Sequence, residues 1–375
     1  MALVVVHFVP LDNVSFEKAA QERLGVPVRI RAVHLALFPT PRLAFEQITI
    51  GDQTPLKIPS AKASPEFGSV WGSKKVLKTM EFEGATVPVA SVAAMLWGKP
   101  RGDSFRIERV KGKSLKFDLP GMTLPAVDVD ISFAADGGVA KIALSAAEKE
   151  KQLSSKLESA EGKIKIELDG KPLDLPFGSE LFLADFSGKG ELTPGELRFS
   201  EFQATTLGGI ATGSARLAWG SAWSLEGTLE AKQIEVERFA APLVSDGKLD
   251  GKGVFSMKAQ TPEKLFSAAR LEGNFSVQKG ALGSVDINKA LQGGSGGGGR
   301  TLFSELSGSV AADSGRVQLR NLRMVAGLLN ATGGIEVDAQ KNLSGRIQAE
   351  LRAQSSPFRA SLGVSGTLKD PKFAR

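Results

Sequence analysis

The chain of 375 residues contains no cysteine and no tyrosine, and it has two histidines. Without cysteine there are no disulfides, thiolate nucleophiles or cysteine metal sites. That absence does not fix the compartment, since periplasmic proteins also dispense with cysteine. Two histidines, His7 and His34, are too few for a histidine-rich metal cluster, and His34 alternates with apolar neighbours as a strand residue does. The aromatic residues are 21 Phe and 4 Trp, so aromatic surface almost wholly lacks a phenolic hydroxyl. Such a surface suits hydrocarbon better than sugar. Near the start, MALVVVHFVP falls short of the roughly 20 apolar residues of a spanning helix. It also lacks the basic region and small-residue cleavage site of a secretory signal. It reads as a buried strand, a short lipid-surface contact or the end of a membrane anchor.

Motifs that carry chemistry are missing too. There is no GxSxG nucleophile elbow, Walker loop or dinucleotide fingerprint. The tract GGSGGGG, Gly293 to Gly299, lacks the lysine and Ser/Thr that end a phosphate-binding loop. Asp118, Asp128 and Asp130 are neighbours in a strand pattern, and Asp128 and Asp130 share its polar face. Nothing nearby completes an oxygen cage for a cation, so a solvated strand face is the expectation. No catalytic, cofactor-binding or metal residue is assigned, and the chain is expected to be non-enzymatic. The formal charge of +6 is spread along the chain. It fits ordinary solubility or attraction to anionic headgroups, and without a basic run interleaved with aromatics it does not point to nucleic acid.

What is present is alternation. In SGRIQAELRA, Ile347, Ala349, Leu351 and Ala353 fall on one side of a strand, with Arg346, Gln348, Glu350 and Arg352 on the other. The same period recurs at Ile164, Ile166 and Leu168, at Val127, Val129, Ile131 and Phe133, at Phe255, Met257 and Ala259, and at Ile335, Val337 and Ala339. Asp136-Gly137, Asp169-Gly170 and Asp246-Gly247 read as hairpin turns. The 42 glycines interrupt many strand-like segments and predict bends and bulges, hence a curved and twisted sheet. The reading is a long antiparallel meander.

Between the strands, Asp12 to Gly25 reads as a helix, with Asp12 or Ser15 as cap, Phe16, Ala19, Ala20 and Leu24 as apolar stripe and Gly25 as stop. Val28, Ile30, Leu35 and Leu37 predict strands before a turn at Pro39 to Pro41. Ala146 to Gly162 has helical composition, with Leu153 and Leu157 four apart, or else is a solvated linker. Trp219 and Trp223 are expected to be structural anchors. The division predicted is an N-terminal α/β opening module at 1–90 with an anchor remnant, a central β region at 91–290, a flexible glycine-rich loop at 291–300 and a C-terminal β region at 301–375.

Two stretches resemble a known family. ERLGVPVRIRAVHLALFPTPRLAFEQITIGD is similar to the N-terminal signature of AsmA-like proteins. LEGNFSVQKGALGSVDINKALQGG, LSGSVAADSGRVQLRNLRMVAGLLNATGGIEVD and VSGTLKDPKF resemble that family's C-terminal region. The resemblance implies a mainly β fold: an elongated, curved antiparallel sheet forming a groove, with a short N-terminal helix and a few peripheral helices. It also implies a periplasmic protein of the bacterial envelope, tethered to the inner membrane by an N-terminal helix and associated with moving or organising phospholipid. MALVVVHFVP resembles only the tail of that anchor, so the anchor is expected to be missing or truncated here.

An uncovered apolar sheet face is an aggregation liability unless it curls around acyl chains. Phospholipid acyl chains are therefore the expected partner, with envelope proteins as further candidates. The candidate lining is Phe255, Met257, Phe275, Val277, Ile335, Val337, Ile347 and Leu351. The same faces also suit closed sandwich cores in an envelope scaffold or a regulator of outer-membrane assembly.

Overall fold

The computed structural model describes residues 8–36, 40–98, 100–118, 124–148, 150, 152–160, 162–175, 181–294, 296–352 and 358–375. It is mainly β, with a short N-terminal helix and a few peripheral helices, as the alternation predicts. The chain divides into two units, residues 1–172 with 189–194, and residues 173–188 with 195–375. His7, Leu37 and Pro39 lie outside the described residues.

Unit 1 opens with β1 (Phe8–Leu11) and helix α1 (Asn13–Leu24). The Asp12 carboxylate accepts hydrogen bonds from the backbone N–H groups of Val14 and Ser15, and Gly25 closes the helix at φ 68°. Phe16, Ala19 and Ala20 of the predicted stripe are buried, while Leu24 is half exposed. The edge of the Phe16 ring meets Phe45, with centroids 5.7 Å apart. Polar residues beside the stripe tie the helix to the next strand, β2 (Val28–Ala36): the Gln21 side chain donates to the Val28 carbonyl, and Glu17 accepts from the Ile30 N–H.

The sheet continues antiparallel through β3 (Arg42–Ile50), β4 (Leu56–Pro65) and β5 (Lys75–Glu83). The order then departs from a pure meander. Short β6 (Thr86–Pro88) leads into α2 (Val89–Trp97), and the chain returns as β7 (Phe105–Asp118), which pairs parallel with both β5 and β6. A helical crossover is what a parallel return requires. VASVAAMLW is apolar all round, so its periodicity does not announce a helix.

Next come β8 (Val127–Phe133), β9 (Val139–Ala146), β10 (Gln152–Ala160) and β11 (Lys163–Lys171), each antiparallel to the strand before it. Where a helix or linker is expected over Ala146 to Gly162, the described residues Gln152–Ala160 form a strand. Residues four apart share a face in a strand as well as in a helix, and Leu157 is buried opposite Ile142 and Ile166. Of the predicted hairpin turns, Asp136-Gly137 is one, with Gly137 at φ 84°. Asp169-Gly170 instead lies inside β11 opposite Ser154 and Leu153.

Unit 2 begins with a two-strand pair, β12 (Leu173–Asp174) and β13 (Phe182–Leu183). The division between the units falls within β14 (Asp185–Thr193). From β15 (Glu196–Thr206) every strand pairs antiparallel with the next: β16 (Gly209–Ala218), β17 (Trp223–Glu235), β18 (Val244–Ala259), β19 (Arg270–Val285), β20 (Gly297–Asp313), β21 (Arg316–Ala326), β22 (Leu329–Val337), β23 (Leu343–Leu351), β24 (Phe358–Gly366) and β25 (Pro371–Ala374). One turn of helix, α3 (Glu237–Ala240), joins β17 to β18, and α4 (Ile287–Leu291) lies between β19 and β20.

Asp246-Gly247 is a bulge inside β18 rather than a turn, because the register shifts on both sides of Asp246. Gly297 to Gly299, read above as flexible loop, open β20, where Gly297 pairs with Val285.

One buried cation in unit 1 escaped the sequence reading. Lys75 is 4% exposed; its ammonium donates to the Val70 carbonyl at 2.8 Å and lies 4.7 Å from the centre of the Phe16 ring. Burial pulls its pKa below the usual 10.5, partly opposed by the Asp12 carboxylate. A base whose pKa falls on folding leaves the unfolded chain holding more protons, so stability rises with pH on the approach to 10.5. Thermal midpoints measured across the alkaline range should climb for the wild type and climb less for Lys75→Met; equal slopes would show that Lys75 is not the group responsible. Asp12→Ala removes the helix cap and should cost about 1 kcal/mol in denaturant unfolding.

Candidate functional site

Antiparallel pairing carries one face across unit 2 as continuous rows of side chains. One row runs Ala215, Gly227, Phe255, Leu271, Ala312, Val317, Val337 and Leu343. The next runs Gly213, Leu229, Gly253, Gly273, Val310, Leu319, Ile335, Gly345 and Val364. Not one member of either row is polar. From β16 to β21 both rows are half-buried rather than sealed, and burial becomes complete only at Val337, Leu343 and Val364.

Glycine occupies the apolar phase of these strands because nothing larger fits. A Cβ on Gly213 would stand 2.0 Å from the Thr228 carbonyl oxygen, one on Gly253 2.5 Å from that of Glu272, and one on Gly273 2.4 Å from that of Lys252. Real side chains do not approach backbone so closely. At these positions one strand's backbone closely approaches its neighbour's, the situation in which a glycine is placed inside a strand. Over Gly227 the missing side chain leaves room for the Phe255 ring, whose tip would be 2.8 Å from an added Cβ.

The eight candidate lining residues all fall on this face but at two depths. Val277, Val337 and Ile347 are buried in the unit 2 core, with Phe275, Ile335 and Leu351 packed against it. Phe255 and Met257 stand outside that core, half-buried in the part of the face toward the β16–β17 and β18–β19 turns. Their neighbours Leu225, Leu229, Leu271, Val310 and Leu319 complete the apolar surface and were missed by the sequence reading. The signal for them was a glycine in the apolar phase, as in Leu225-Glu226-Gly227-Thr228-Leu229.

The polar candidates do not converge. His34 on β2 lies 3.7 Å from Glu46 on the adjacent strand, an ordinary cross-strand pair. Arg109 reaches Asp130 at 2.7 Å and holds its carboxyl below the usual range. Asp128 accepts from the Ser114 N–H, and Asp118 is exposed. Among the described residues no cluster of three or more His, Asp or Glu is placed to hold a metal ion, and no helix is long and apolar enough to cross a membrane. Trp219 and Trp223 pack on each other with ring centroids 6.1 Å apart across the β16–β17 turn. Within unit 1, a cavity of about 160 Å³ lies between α1 and the sheet, lined by Leu24, Val28, Ile48, Met80 and Ile107. Arg23 at its edge spends its guanidinium on the carbonyls of Gly102 and Asp136.

Compared with protein families, with curated proteins and with solved structures, the chain has no match.

Gly273→Val forces a side chain against the β18 backbone and should destabilise the fold by about 1–3 kcal/mol. An unchanged denaturation midpoint would mean that the strands can separate without penalty.

Proposed function

We propose that the half-buried apolar face of unit 2 holds phospholipid acyl chains. On this reading the protein is a non-enzymatic, periplasmic lipid-binding or lipid-transfer component that contributes to outer-membrane lipid homeostasis. The observation that carries the proposal is the pair of apolar and glycine rows, which cross unit 2 with no polar member and are left incompletely covered from β16 to β21. Each methylene withdrawn from water onto such a surface contributes about 0.8 kcal/mol, so acyl chains are retained by greasiness and shape, with little discrimination between headgroups. The likeness of the N- and C-terminal stretches to AsmA-like proteins supplies the compartment and the tether to the inner membrane.

A second reading is favoured by one observation. Val277, Val337 and Ile347, chosen as lining, are sealed in the unit 2 core. If the rest of the face is covered by a protein instead, the chain is a scaffold or regulator of outer-membrane assembly.

The two are separated by native mass spectrometry of detergent-free protein, with lipid extraction from any bound mass. Phospholipid adducts are expected on the wild type and should be reduced at least tenfold by Phe255→Asp with Leu229→Asp, both half-exposed positions whose exchange leaves the core intact. Folded wild-type protein that stays lipid-free after incubation with phospholipid vesicles sinks the lipid reading and favours the scaffold.

A further inference from the structure

The meander of unit 2 reverses at one edge after β15, β17, β19, β21 and β23, and at the opposite edge after β16, β18, β20, β22 and β24. The two edges differ in chemistry. At the first, large apolar side chains stand in water on successive turns: Ile210 after β15, Phe239 in α3, Leu302 near the start of β20, Leu328 between β21 and β22, and Phe358 at the start of β24. Leu302 and Leu328 are each about two-thirds exposed, at 66% and 65%. Phe182 joins them, because its carbonyl accepts the Thr206 hydroxyl at the end of β15. The opposite edge turns through Ser314-Gly315, Asp338 to Asn342 and Thr367 to Asp370. There the one exposed large apolar side chain among the described residues of these strands is Val254, five residues before the end of β18.

We propose that the first edge docks on the surface of an anionic lipid bilayer. Its apolar groups are single residues spread along the edge, on a reversal or in the strand beside it, rather than the run of apolar residues that forms a packed protein interface. Separate tips can each sink to the acyl boundary while the turns between them stay among the headgroups. The charge complements that layer. Lys289, Arg352 and Arg375 are exposed at this edge, against the exposed carboxylates Glu237 and Asp246, and the Arg375 guanidinium lies 4.8 Å from the centre of the Phe358 ring. A long cationic side chain next to an inserted ring places its charge at phosphate depth. Behind the edge, α4 and the ends of the strands form the sealed core of the unit, so the tips are held by a rigid base. This assignment does not depend on where acyl chains bind.

The test is flotation of the full chain with vesicles of phosphatidylcholine alone and of phosphatidylcholine mixed with phosphatidylglycerol. Flotation is expected with the mixed vesicles and should weaken at high salt. Phe239→Ser with Leu328→Ser, both exposed and outside the core, should weaken it at least tenfold. Arg352→Gln should weaken it about fivefold, the equivalent of about 1 kcal/mol for one cation at an anionic surface. Lys341→Gln, at the opposite edge, should leave it unchanged. Native lipid adducts should persist in the double variant, so loss of docking and loss of acyl-chain binding are distinguishable. The proposal is overturned if folded wild-type protein does not float with the mixed vesicles, or if the double variant floats as the wild type does. It is equally overturned if the vesicle-free protein self-associates and the double variant abolishes that, which assigns the edge to contacts between copies of the chain.

Discussion

Pairing between sequence neighbours holds unit 2 in register from β15 to β25, and the chemistry of its face depends on that register. Side chains alternate with a period of two, so a slip of one residue would turn the Leu, Val and Phe of the apolar rows outward and bring Glu226, Thr228 or Lys252 in. Polar pairs on the outer face help to fix the register. Arg216 on β16 bonds Glu196 on β15 and Glu226 on β17, and Lys248 on β18 bonds Glu235 on β17. These exposed pairs contribute little energy individually. Arg216 stands directly opposite Arg198 in this register, and its two carboxylate partners offset that like-charge contact.

The glycines use that fixed register. A glycine inside a strand weakens it by removing a side chain from the packing and adding freedom to the unfolded chain. Here Gly253 stands against Gly273, and Gly333 and Gly345 stand against Ile347 and Ile335, all on one face. The backbone approach they permit cannot be reproduced by alanine, whose Cβ would overlap a carbonyl oxygen. The lost packing is therefore exchanged for close backbone approach between the strands of this face.

Much of this was legible in the chain. The helix Asn13–Leu24 announces itself by Asp12, Phe16 and Gly25, and strands such as Val127–Phe133 by strict alternation. Failures came where local preference was outvoted by partners. Gln152–Ala160 is rich in Lys, Glu and Ser and looks helical, yet it lies between two strands that take Leu157 into the core and pair Lys141 with Glu158. The Asp-Gly pairs at 169 and 246 have turn chemistry, but only cross-strand neighbours decide whether the chain reverses there. For the candidate site, alternation identified the face and not the depth. Val277 and Phe255 look alike in sequence; one is 2% exposed in the core that α4 joins and the other is half-buried outside it.

The placement of α4 explains that gradient. Asp286 caps it by accepting from the Lys289 N–H, and the buried Thr301 hydroxyl donates to the Val285 carbonyl while accepting from the Ile287 N–H. Both ends of the connection are thus satisfied without water, and Ile287, Ala290 and Leu291 are pressed into the core beside Leu362 and Phe373. The glycines that follow suit this arrangement: a Cβ on Gly299 would stand 2.4 Å from that of Asp286, and one on Gly296 2.9 Å from that of Ala290. A tract whose composition suggests slack is in part the tight seam that lets a helix plug one end of the face. At the other end, two short 3-10 turns, Pro262–Lys264 and Phe266–Ala268, join β18 to β19 with Pro262 and Leu265 buried. One element, inserted between β19 and β20, seals its end of a single apolar face, while the rows through Phe255 and Leu229 remain half-buried.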